Sequence, residues 1–159
     1  MKGASSNSYL TVATAQTYLD GRLKVSEWTD ASDPDKDRAL IQATNRLELE
    51  NFVGFTTTTT QRLKWPRSGA PDGDNDLYDQ DLMPRVVEEA TAELALAFLK
   101  SEADLSDVGL EAFTNVKVGS LDVTPRITRK GDALPSVVKR ILTHVRLGAS
   151  EFTVPLVRA

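Results

Sequence analysis

Arg62, Lys64, Trp65 and Arg67 set three cations around one indole within six residues, in the stretch QRLKWPRSG from Gln61 to Gly69. Cations that meet phosphates, beside a ring on which a base can stack, are the equipment of single-strand nucleic-acid binders. The same residues also suit a structural role, with Trp65 anchoring a long loop on neighbouring helices and the cations meeting acidic groups. A chain with only 6% aromatic residues favours the anchor. From the residues alone both readings stay open.

Other candidate chemistry is weaker. Asp72, Gly73, Asp74, Asn75 and Asp76 resemble the start of a calcium loop. An EF-hand loop needs Gly at its sixth position and Glu at its twelfth, and counting from Asp72 those places hold Leu77 and Met83. A solvated acidic turn is expected instead. His144 is the only histidine and no G-x-S-x-G accompanies it, so it is expected at the edge of a packed helix face. Neither G-x-x-x-x-G-K-[ST], H-E-x-x-H nor G-x-G-x-x-G occurs. Glu88, Glu89 and Glu93 share a helix and read as its charged outer face. The chain is expected to have no catalytic residue, cofactor site or metal site, and not to be an enzyme.

The bulk numbers set limits. A chain of 159 residues suits one domain burying roughly 68–70% of its unfolded surface. Lys plus Arg is 19 and Asp plus Glu is 23, a net charge of −4. That balance argues against a protein that coats phosphates over its whole surface, though a local basic patch is compatible with it. With no cysteine there is no disulfide, thiolate zinc site or cysteine nucleophile. No apolar run approaches the ~18–20 residues of a membrane helix, so no membrane partner is expected. The start, MKGASSNSYL, lacks the apolar core of a secretory signal, and the expected place of synthesis is the cytoplasm.

The elements that must position these residues follow from spacing. Thr11 can cap a helix carrying Val12, Ala15, Leu19 and Leu23 on one face. Asp33-Pro34 starts a second, with Leu40, Ala43 and Leu47 inward, running to about Asn51. From Phe52 to Leu82 no helical period survives, and the threonine run 56–60 reads as an extended, exposed loop. Met83-Pro84 opens the longest helix, with Val87, Ala90, Leu94, Ala97 and Phe98 as its stripe. Val116, Val118, Leu121 and Val123 flank Gly119-Ser120, a Gly-first pair suited to a two-residue hairpin turn. Pro135 opens a last helix with Val138, Ile141, Leu142 and Val145 inward, ending near Gly148. The expected fold is mainly α: a bundle of about four helices, one small β-hairpin near 116–123, a long loop and an extended C-terminal tail. Residues 1–148 would form the helical domain and 149–159 the tail. In that tail Phe152, Val154, Leu156 and Val157 are apolar, so it either folds back or inserts into a partner; the partner is favoured.

WTDASDPDKDRALIQATNRLE, LKWPRSG, MPRVVEEATAELALAFL and NVKVGSLDV together resemble the head–tail adaptor, or neck, proteins of long-tailed bacteriophages. Members of that group often carry the label of DnaT-like single-stranded-DNA-binding proteins. The resemblance runs from Tyr9 to the tail. It implies a virion structural protein at the neck, a homo-oligomeric ring that matches the portal's symmetry and continues the channel for double-stranded DNA. Its implied partners are the portal protein, a downstream tail-side neck protein and other copies of itself. Carried over by position, Glu151 to Ala159 would be the portal-binding tail, with Phe152, Val154, Leu156, Val157 and Arg158 in contact. Val116, Val118, Leu121 and Val123 would form an inter-subunit or tail-side hairpin. The threonine run departs from the pattern. The alternative function is a single-stranded-DNA-binding protein of a replication primosome, working through Arg62, Lys64, Trp65 and Arg67. Under that alternative, Trp65→Ala is expected to weaken DNA binding by ~1–3 kcal/mol.

Overall fold

The computed structural model describes residues 7–74, 76–100, 117–118, 121–122 and 134–147. The fold is mainly α, with five helices and two two-stranded antiparallel sheets among the described residues. α1 spans Val12–Leu19, and the Thr14 N–H donates to the Thr11 hydroxyl at 3.2 Å, the expected cap. Ala15 and Leu19 are buried, but the apolar stripe stops there. Leu23 is 91% exposed, because the helix ends at Leu19 and Lys24 takes a φ of +60° that turns the chain away.

α2, Ser26–Asp30, was not expected from the spacing. It is a single turn whose purpose is to bury Trp28, whose indole N–H donates to Gln16 Oε1 at 2.9 Å. α3 spans Asp33–Leu47 and buries Ala39, Leu40, Ala43, Thr44 and Leu47. Its cap is Ser32 rather than Asp33: the Ser32 hydroxyl accepts from the Asp35 N–H, and Asp33 and Asp35 sit in the first turn, where the helix dipole favours negative charge. The helix stops at Leu47, short of the expected Asn51, and a turn at Glu48 and Leu49 follows.

α4, Arg85–Lys100, is the hub, touching α1, α2, α3 and α5. Every residue from Ala90 to Leu96 is buried, and Ala90, Ala92 and Ala95 let neighbouring helices approach closely. A helix enclosed on all sides has no outer face at its middle. Glu93 therefore does not sit on a solvated face as its charge implied, but inside the molecule at 8% exposure. α5, Ser136–Ile141, follows Pro135 and is shorter than expected, with tight turns from Leu142 to Val145. Its inward residues Val138, Leu142 and Val145 are buried as their spacing required, and Ile141 packs half-buried.

The long connection is more ordered than its sequence showed. β1 (Phe55–Thr56) pairs with β2 (Arg67–Ser68), with Phe55 opposite Ser68 and Thr56 opposite Arg67. The pairing needs Gly54, whose φ is +79° and where a Cβ would lie 2.3 Å from the Ser68 carbonyl oxygen. Just upstream, Phe52 bridges Arg146, and the Val53 and Leu147 N–H groups donate at 2.9 Å to the carbonyls of Val145 and Asn51. Farther on, β3 (Lys117–Val118) pairs with β4 (Leu121–Asp122), leaving the two-residue link at 119–120 that the hairpin required. Val116 and Val123 lie outside the described residues, as does the tail with Phe152, Val154, Leu156, Val157 and Arg158.

Candidate nucleic-acid interface

Trp65 is 2% exposed, its ring set edge-on to Phe52 with centroids 5.5 Å apart. It offers no face to a base. Around it, polar groups bind one another rather than wait for a ligand. Tyr9 donates its hydroxyl to Glu48, whose Oε1 also accepts from the Lys64 N–H at 2.9 Å. Burial, reinforced by that carboxylate, holds the Tyr9 hydroxyl far above the usual tyrosine range.

The neighbouring cations are engaged too. Lys64 Nζ donates to the Glu50 carbonyl at 2.7 Å. Arg67 Nε donates to the Val53 carbonyl at 2.8 Å, while its Nη atoms donate to the carbonyls of Phe52, Lys64 and Gly54. One guanidinium thus gathers the carbonyls of a turn that β pairing leaves open, and its burial lowers its pKa. Arg62, which donates to Asn7, is the member of the four that lies exposed. The structure brings Lys64, Trp65 and Arg67 together as the inner side of the loop, and leaves Arg62 on the outside.

The outer side carries what the sequence reading passed over. Phe55 is 80% exposed at the start of the hairpin, and Thr56, Thr58, Thr59 and Thr60 beside it are exposed as well. Gln61 shapes this turn. Its Oε1 accepts from the Thr57 hydroxyl at 2.9 Å and the Thr58 N–H at 3.0 Å, and its Nε2 donates to the carbonyls of Leu63 and Pro66. An apolar ring held out on an ordered, hydroxyl-rich turn with Arg62 at its end is a stacking platform in form. A phenylalanine directly before a run of five threonines, with no apolar residue in alternation, was the available signal.

The bridge between Phe52 and Arg146 sets this hairpin beside the last helix. Residues 134–147 carry three cations, Lys139, Arg140 and Arg146, and no carboxylate. Arg146 pairs with Glu50 at 2.6 Å, and Arg46 holds the same carboxylate at 2.7 Å. Arg140 and His144 are exposed.

Elsewhere the polar groups are structural in form. Glu93 accepts from the Tyr18 hydroxyl at 2.8 Å and pairs with Arg22 at 2.7 Å. Desolvation, then the Glu93 hydrogen bond, raises the Tyr18 pKa above the ordinary range. Asp72 Oδ1 accepts from the N–H groups of Asp74 and Asp76 at 2.8 and 3.2 Å, a self-capped acidic turn. Among the described residues no three His, Asp or Glu side chains gather as a metal site. An open cleft of about 500 Å³ lies between α1 and the start of α4, lined by Leu10, Thr14, Tyr18, Arg85 and Glu89. Its Arg85 is already paired with Glu89 at 2.6 Å.

A family model described as "Putative DnaT-like ssDNA binding protein" matches residues 2–159. The chain belongs to that family. No curated protein and no solved structure matches it. The match corrects the resemblance to phage head–tail adaptors, because the family that spans the chain is described by single-stranded DNA and not by a virion. With it go the virion neck ring and the portal and tail-side partners. The family's own description favours the alternative.

Proposed function

We propose that this protein binds single-stranded DNA, as a non-catalytic component of primosome type. The observation that carries this reading is the family match over residues 2–159. The contact surface is the outer side of the β1–β2 hairpin, not the buried indole of Trp65. Phe55 supplies the ring on which a base stacks, and Arg62 and the threonine hydroxyls meet the backbone next to it. Arg140 on α5 extends the positive surface beyond the hairpin. A net charge of −4 is no obstacle, since phosphate contact depends on the local field and not on the total.

The deciding experiment is a fluorescence anisotropy titration with a labelled oligothymidylate and a duplex of equal length, over a range of salt concentrations. The expected result is a preference for the single strand, with log K falling against log salt by about 0.7 per phosphate neutralised. No binding to either nucleic acid at low salt would overturn the reading.

A further inference from the structure

Phe55 stands at the end of a short stem, Glu50 to Gly54, and every backbone carbonyl of that stem accepts a hydrogen bond from elsewhere in the fold. Lys64 Nζ donates to the Glu50 carbonyl at 2.7 Å and the Leu147 N–H to that of Asn51 at 2.9 Å. Arg67 donates to those of Phe52, Val53 and Gly54. The one charged side chain of the stem is Glu50. Its carboxylate is 9% exposed, with Oε1 accepting from Arg46 Nη1 of α3 at 2.7 Å and Oε2 from Arg146 Nε, just past α5, at 2.6 Å. A carboxylate buried to that degree is stable only with compensating charge, and here the compensation comes from two separate elements. α3 and the end of α5 are thus fastened through one side chain, five residues before the exposed ring.

We propose that Glu50 is the positioning residue of the interface, holding Phe55 where a base can stack on it. This rests on the functional reading above and adds to it a residue that touches no DNA. Without the carboxylate, Arg46 and Arg146 face each other as like charges in a site where screening is weak. Their repulsion acts across the ladder between 51–53 and 145–147, which joins the stem to the end of α5. A phenyl ring that is 80% exposed is held by its backbone and not by a surrounding pocket, so the stem sets its place. A ring already fixed loses less freedom when a base stacks on it, and a firm stem raises affinity with no new contact to the ligand. The same carboxylate also neutralises two cations that would otherwise draw phosphates. Removing its charge therefore separates positioning from electrostatics by the sign of the change.

The test is a double-mutant cycle of wild type, Glu50→Gln, Phe55→Ala and the double variant, read by anisotropy with a labelled oligothymidylate below the thermal transition of each. In 50 mM salt Glu50→Gln is expected to bind about three- to tenfold more weakly although it removes a negative charge, and to change affinity by less than about 1.5-fold in the Phe55→Ala background. The slope of log K against log salt should stay at the wild-type value, since no phosphate contact is made or lost. Equal losses in both backgrounds would overturn the proposal. So would unchanged or tighter binding, the behaviour of a carboxylate that merely masks two arginines. If Glu50→Gln does not fold, Arg146→Met carries the same cycle, because it unfastens α5 and leaves Glu50 paired with Arg46. Its loss should also vanish in the Phe55→Ala background. A loss that persists there, with a salt slope smaller by about 0.7, would assign Arg146 to a phosphate and overturn the proposal. A wild-type chain that binds no single strand, or a Phe55→Ala variant that binds like wild type, defeats the functional reading, and this inference with it.

Discussion

The two faces of the segment from Phe52 to Ala70 make an instructive contrast. Its inner face holds Lys64 and Arg67, which have the chemistry of a nucleic-acid binder and use it on the protein's own carbonyls, and Trp65, buried edge-on against Phe52. Its outer face holds Phe55 and four exposed threonines, which look like filler and present the only large ring turned outward near that loop among the described residues. Residue type says what a side chain can do. Which partner reaches it first decides what it does. In this loop the backbone is closer than any ligand, because short strands leave carbonyls at Phe52, Val53 and Gly54 that need donors.

Four predictions probe that contrast. The largest effect belongs to Trp65→Ala, which empties a core position and is expected to cost about 3–5 kcal/mol of stability. Thermal denaturation should show a Tm lower by on the order of 10 °C, while the affinity of the folded protein for single strands stays near wild type. A large loss of affinity without a loss of stability would reverse the assignment of the two faces. Phe55→Ala is the mirror image. Its stability should stay within about 0.5 kcal/mol, and anisotropy should read single-strand binding weaker by about 1–3 kcal/mol.

The third concerns pH. Tyr9 and Tyr18 both have hydroxyls whose pKa is raised above the ordinary 10.0 on folding, by burial and then by a carboxylate. A raised pKa favours the folded state in full at pH values below 10 and loses that contribution as the unfolded chain's tyrosines ionise above it. Chemical denaturation should therefore show stability falling from about pH 10 upward. Tyr9→Phe and Tyr18→Phe should each flatten that fall. The smallest effect is that of Arg62→Ala. Stability should be unchanged, and the slope of log K against log salt should shrink by about 0.7, the signature of one lost phosphate contact.

Much of the frame was legible. Pro34, Pro84 and Pro135 mark helix starts, and the apolar spacing around Leu40, Leu94 and Val138 identifies the buried faces. Local rules act strongly there, since proline and periodicity both constrain the backbone within a few residues. Leu23 fits the period of α1 and is exposed, because the helix is stopped by a turn the period does not contain. α2 was invisible, having one buried residue and no period at all. Glu93 was misread because charge normally marks an outer face, and only the packing of four helices about α4 makes this position interior. The site suffered most. Whether Trp65 is anchor or platform depends on Phe52, Tyr9 and Glu48, residues that local sequence does not set beside it.

The salt bridge from Arg146 to Glu50 joins positions 96 residues apart, and with the short ladder between 51–53 and 145–147 it has a meaning for the order of assembly. Contacts of such separation carry a high loop-closure entropy and reward the chain only after nearer contacts have formed. α1 to α4 can gather from the first hundred residues, but the base of the Phe55 hairpin is fastened only when the end of α5 arrives. The hairpin's foundation is therefore expected to be a late event, with a φ-value near zero for Arg146→Ala in refolding kinetics. On a growing chain, the Phe55 ring would be made early and fixed in place last.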